Sequence, residues 1–79
     1  MIDVATQKPL TVSGRGTEWP RLIVTVLQLP AVRQLLDKHG IRYYVREDVI
    51  SWNGGPEEAT VEFGRGADGE AIQALLESV

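Results

Sequence analysis

Seventy-nine residues, 43% of them hydrophobic, with a net charge of −3, describe one small globular domain rather than a disordered chain. The absence of cysteine excludes disulfides, thiolate metal sites and a cysteine nucleophile, and fits a reducing cytoplasm, where the chain is expected. Net acidity argues against nucleic acid as a partner, because phosphate contacts need an excess of Lys and Arg.

The charge is unevenly laid out. Residues 1–46 carry seven cations and three acids, a balance of +4; residues 47–79 carry one cation and eight acids, a balance of −7. Halves of opposite sign either neutralise each other on folding or offer complementary patches to a second copy or another protein. No apolar run is long enough to span a bilayer, so no membrane partner is expected. The opening Met1-Ile2-Asp3-Val4-Ala5 lacks the basic and apolar regions of a secretory leader, and none is expected.

Residues 1–18 hold Pro9 and the breaker Gly14-Arg15-Gly16 among few large apolar side chains. They read as an N-terminal arm, either mobile or paired as a short edge strand over Leu10–Ser13. Residues 19–79 form the single domain. From Arg21 to Leu29 the chain is β-branched and almost continuously apolar, the pattern of a central strand. Alternation sets Leu22, Val24 and Val26 against Ile23, Thr25 and Leu27. A helix follows. Pro30 fits its first position, where a missing N–H costs nothing, and Val32, Leu35, Leu36 and His39 fall on one stripe. Gly40 suits the left-handed residue that ends the helix, with Ile41 folding back on Leu36.

Residues 41–46 alternate with period two, placing Ile41, Tyr43 and Val45 toward the helices and Arg42, Tyr44 and Arg46 away from them. Val49–Trp52 extends or restarts this strand, with Glu47-Asp48 as a bulge between the pieces. Asn53-Gly54-Gly55-Pro56 is a turn signal. Glu58–Phe63 returns with Ala59, Val61 and Phe63 inward and Thr60 and Glu62 outward. Asp68 should cap a last helix, on which Ile72, Leu75, Leu76 and Val79 repeat the first stripe.

This order predicts an α+β domain of truncated ferredoxin-like form, β-α-β-β-α, with an antiparallel or mixed sheet and both helices on one face. The other face would carry a mixture of Ile23, Thr25, Leu27, Arg42, Tyr44, Arg46, Thr60 and Glu62. A partner is expected there. Arg42, Tyr44, Arg46 and Glu62 are its candidate binding residues, and the partner is a second copy or another protein.

Gly64-Arg65-Gly66-Ala67-Asp68-Gly69 matches G-x-G-x-x-G between a strand and a helix. Gly64, Arg65 and Gly66 are therefore the candidate small-ligand residues, with backbone N–H groups and a guanidinium for an anion. Asp68 and Glu70 put negative charge where a phosphate would sit, so a plain turn is the first reading and an anion site the second. His39 is the one histidine and suits a helix C-terminus, which leaves no paired-histidine metal site. Ser13 and Ser51 have no His/Asp partner, and Glu57 and Glu58 point to opposite sides of a strand. No enzyme chemistry, metal or cofactor is expected. Tyr44 with Arg42 and Arg46 also invites single-stranded RNA, against which stands the acid Glu62 on the stacking surface.

Arg33-Gln34-Leu35-Leu36-Asp37-Lys38-His39-Gly40-Ile41-Arg42-Tyr43-Tyr44-Val45, then Ala59–Phe63 and Asp68–Glu77, resembles the small signal-transducing proteins of prokaryotes. Their pattern is a helix ending Leu-Leu-x-x-x-Gly-Ile, a strand ending in Val and a final Leu-Leu-Glu helix. The likeness covers residues 21–79 and is shared with other ferredoxin-like modules, among them amino-acid-sensing ACT domains. It implies a regulatory or protein-interaction role, often through self-association, or a small-ligand sensor. It supplies no catalytic residues.

Overall fold

Arg21–Thr25 (β2) and Glu57–Glu62 (β5) pair antiparallel along their length, and the rest of the chain is arranged on them. The structure is a computed structural model and describes residues 1–46, 50–51 and 55–79. The expected bulge at Glu47-Asp48, Trp52 and the Asn53-Gly54 half of the turn lie outside the described residues. Val12–Ser13 (β1) pairs with the free side of β2, while Tyr44–Val45 (β3) and Ile50–Ser51 (β4) both pair with the far side of β5. The sheet is open and antiparallel throughout, in the order β1-β2-β5-β3, with β4 beside β3 on the same flank. Val45 faces Val61 and Ile50 faces Glu58, so five steps on one flank answer three on the other.

The two helices, Leu29–Lys38 (α1) and Gly69–Glu77 (α2), lie against one face of this sheet. Leu22 opposite Val61 and Val24 opposite Ala59 form the inward rows. All four are buried, and Leu22, Val24 and Val61 form one cluster with Val32 and Leu36 of α1 and Ile72 and Leu76 of α2. A residue further along the strand, Ile23 is 49% exposed. Leu10 and Val12 join the core, so the N-terminal side of the chain supplies part of it.

The apolar run after Arg21 does not stay extended to Leu29. β2 stops at Thr25, and Val26, Leu27 and Gln28 form a turn closed by the Gln28 N–H on the Thr25 carbonyl at 3.0 Å. Val26 and Leu27 are exposed, and Leu27 therefore drops out of the expected sheet-face residues. The cause is local. A helix with Gln28 as N-cap and Pro30 in its first turn requires the chain to reverse within the apolar run, whatever its β propensity. At the other end of α1, Gly40 has φ +67°, its N–H meets the Asp37 carbonyl at 3.1 Å and Ile41 N–H meets Leu36 at 2.9 Å. These two bonds are the Schellman ending. Asp68 caps α2, accepting the Ala71 N–H at 3.0 Å. His39 and Val79, at the ends of the two stripes, are exposed.

Polar side chains fasten the first residues to this frame. The buried Asp3 carboxylate holds the end of β2 through Thr25, and the Gln28 side-chain oxygen accepts the Val4 N–H at 3.0 Å. From α2, the buried Gln73 amide accepts the Val12 N–H at 2.7 Å and donates to the Leu10 carbonyl at 3.3 Å. One amide bridging alternate residues in this way makes the bonds of one residue of a parallel strand, so the outer edge of β1 is closed. The Met1 amino group donates to the Leu76 carbonyl of α2. No helix among the described residues is long and apolar enough to cross a membrane.

Candidate functional site

The face of the sheet turned away from the helices is a small grid fixed by strand register. One row runs Ser13, Arg21, Glu62, Tyr44 across four strands. The next holds Ile23 opposite Thr60, with Arg46 on the far side of Thr60 through its N–H at 2.9 Å. Tyr44 is 62% exposed, while Thr60 and Glu62 are half-buried. Glu62 lies between a cation, Arg21, and a phenol, Tyr44, a mixed row of the kind that cross-strand pairing favours.

Three of the four expected partner residues, Tyr44, Arg46 and Glu62, share this grid. Arg42 does not lie in a strand; it is exposed and lines two clefts, one of them beside β3. Thr25 is a correction to the expected surface. It shares the parity of Ile23 but is buried, because Asp3 takes both its N–H and its hydroxyl. Arg21 and Ser13 complete the surface. Arg21 was legible from its parity with Ile23, whereas Ser13 needed the β1 pairing.

Two clefts share Ile41 and Arg42, the residues that lead into β3. The larger, an open groove of about 940 Å³, runs between α1 and the strand, with Leu29, Ile41 and Val45 as apolar lining and Arg33, Arg42, Arg46 and Asp37 as its charges. The Arg33 guanidinium stands 6.0 Å from the centroid of the Tyr43 ring. The smaller, about 390 Å³, lies between Ile41, Phe63 and Ile72, with Arg42 and Arg65 at its rim.

Arg65 and Gly66 border this second cleft, but several backbone donors of the loop and the helix start are already engaged within the chain. Gly66 N–H donates to the Glu18 carbonyl at 3.1 Å, Ala67 N–H to Gly64 at 3.4 Å and Ala71 N–H to the Asp68 carboxylate. Gly64 and Gly66 both have φ +81°, which explains their glycines through turn geometry. The Arg65 guanidinium lies 3.3 Å from Glu18. Among the described residues no three His, Asp or Glu side chains converge on a metal position.

Asp3 has a perturbed carboxyl ionisation. Burial pushes its carboxyl up, but hydrogen bonds from Thr25, Ala5 and Thr6 favour the charged form more strongly and hold it below its ordinary value. It fastens the fold and lines neither cleft. Comparisons with family models, with curated proteins and with solved structures give no match.

Proposed function

We propose that this chain is a small non-enzymatic regulatory or protein-interaction module, which meets another protein or a second copy of itself through the open sheet face. The exposure of Ile23 and Tyr44 on regular strands carries this reading. Loops commonly expose single apolar residues, but here backbone pairing fixes two of them among Arg21, Arg46 and Glu62. Rigid apolar anchors ringed by charge are the usual composition of a protein contact.

A ferredoxin-like reading of the element order supports the same role. β2, α1, β3, β5 and α2 follow the β-α-β-β-α order with β5 between β2 and β3. β1 then takes the flank of β2 where a ferredoxin-like domain sets its final strand. The resemblance to signal-transducing proteins and ACT-like modules points to self-association on such a frame, in a reducing cytoplasm. Light scattering across concentration, with Ile23→Asp as the control, tests the reading. A dimer or partner complex lost in Ile23→Asp, with helical circular dichroism retained, supports it. A strict monomer that retains no partner in pull-downs sinks it.

A small-ligand sensor is the second reading, favoured by the smaller cleft, whose Phe63 and Ile72 floor lies under two arginines. A rise in melting temperature with an apolar amino acid, abolished by Arg65→Ala, would select it.

A further inference from the structure

We infer that the open sheet face pairs with the same face of a second copy, on a twofold axis running along the strands midway between β2 and β5. This rests on the interaction reading above and names which partner that surface takes. A closed pair of identical chains needs a surface complementary to itself. The row Ser13, Arg21, Glu62, Tyr44 has that property. A twofold axis along the strands reverses the row left to right and lays it over the original. Arg21 then stands against Glu62 of the second copy, and Glu62 against Arg21 of the second copy. Tyr44, the bulkiest side chain of the row, stands against Ser13, the smallest. In the next row Ile23 comes over Thr60. Arg46 falls outside these matches, over the β1 flank of the second copy.

The axis across the strands is the poorer one. Laid along the row, it sets Arg21 on Arg21 and Glu62 on Glu62, and like charges placed together repel. Moved between the rows, it buries both charges against the uncharged pair Ile23 and Thr60, at a desolvation cost that nothing offsets. Within one chain Arg21 and Glu62 are cross-strand neighbours. Even so, neither side chain forms an ion pair with the other or with any described residue. A second copy supplies both with a partner. Sheets packed face to face lie about 10 Å apart with strands within about 30° of each other, so β2 and β5, next to the axis, keep this register best. The exposed Ile23 and Tyr44 bring the apolar area, and the two charge pairs fix the orientation.

The experiment follows the mass of the full chain by light scattering across concentration. The unaltered chain should be a dimer. Arg21→Glu and Glu62→Arg each set like charges against one another twice, and each should weaken the dimer at least about tenfold. An equimolar mixture of the two variants should restore it as a heterodimer, because the new acid of one chain meets the new base of the other. Each variant keeps its own like-charge neighbours in that mixture, so recovery reports contact between chains and not folding. Should either variant fail to fold by circular dichroism, isotope-filtered NOEs in mixed labelled and unlabelled chain decide. They should join Ile23 to Thr60 of the second copy. Two monomeric variants whose mixture stays monomeric, or filtered contacts between other residues, overturn the inference. A dimer lost in Ile23→Asp but unmoved by both charge variants overturns this pairing and leaves the sheet-face reading standing. A monomer that holds a different protein, lost in Ile23→Asp, overturns the second copy and leaves that reading too. A dimer that survives Ile23→Asp, or a strict monomer without any partner, removes both.

Discussion

Asp3 and Thr25 are joined twice: one carboxylate oxygen accepts the Thr25 N–H at 2.9 Å and the other accepts its hydroxyl at 2.6 Å. The bond from the Thr25 N–H sits where β1 no longer accompanies β2, since β1 reaches only Arg21 and Leu22. A side chain thus supplies the acceptor that a longer edge strand would have supplied. Asp3→Ala should cost about 2–4 kcal/mol, because it strips a charged acceptor from buried donors. Thr25→Val keeps the N–H bond and should cost about 1–2 kcal/mol. For a chain of this size, with total stability of about 4–12 kcal/mol, the larger loss is readily seen as a lower urea midpoint. An Asp3→Ala midpoint equal to that of the unaltered chain would show that this double bond contributes nothing.

The same carboxylate sets a pH dependence. Burial raises its pKa, the hydrogen bonds lower it further, and the net value lies below the ordinary one. A group depressed in the folded state binds fewer protons folded than unfolded, so its contribution is complete above the unfolded value of about 3.9. That contribution is lost as pH falls through the lower folded value. Urea midpoints measured from pH 7 downward should therefore separate the unaltered chain from Asp3→Asn by a constant gap to about pH 5. The gap should narrow below it. A gap that widened with acid would reverse the assigned direction.

The core-forming pattern was readable in the sequence because it depends on local periodicity. Ala59, Val61 and Phe63 alternate inward, Val32 and Leu36 share a helical stripe, and Gly40 ends α1, all from contacts within a few residues. The outward face was readable for the same reason at Tyr44 and Glu62. What was hidden depends on distant partners. Nothing adjacent to Thr25 announces that Asp3 will bury it, and nothing in the α2 stripe marks Gln73 as a substitute strand. The turn at Val26–Gln28 was hidden differently, since its residues favour strand and only the helix start at Leu29 overrides them.

Gln73 offers a sharper test of long-range pairing. Gln73→Ala leaves the Val12 N–H and the Leu10 carbonyl without the amide that joins them at 2.7 and 3.3 Å. It should cost about 1–3 kcal/mol. It also opens the edge of β1, so concentration-dependent association should increase in light scattering. Gln73→Glu keeps the acceptor for Val12 but loses the donor to Leu10 and faces Glu77, to whose carboxylate the Gln73 amide donates at 3.1 Å. That variant should be the less stable of the two at neutral pH and recover in acid. Stability unchanged in both would mean that the β1 edge is held by apolar packing alone.

Gly40 isolates a backbone effect. It has φ +67°, and a Cβ added there would meet no heavy atom within 4 Å. Any loss in Gly40→Ala thus comes from the left-handed conformation itself, about 1–2 kcal/mol. Gly40→Asn should lose less, since asparagine tolerates this region. Thermal unfolding of the pair gives the order directly, and equal melting temperatures would indicate that the Schellman ending has relaxed.

The Gly64–Gly66 loop makes a negative prediction with a physical reason. An anion site at a helix start needs N–H groups free to point at the ligand. Here Gly66 donates to Glu18, Ala67 to Gly64 and Ala71 to the Asp68 carboxylate, while Glu18 stands beside Arg65. Phosphate would have to displace a carboxylate already placed at the helix start. It also stabilises proteins generally by exclusion from their surface, so a rise in melting temperature is not by itself binding. The informative comparison is the phosphate-induced rise in the unaltered chain against that in Arg65→Ala. The two rises should be equal, because exclusion does not depend on one arginine. A rise several degrees smaller in Arg65→Ala would restore the loop as a specific phosphate site.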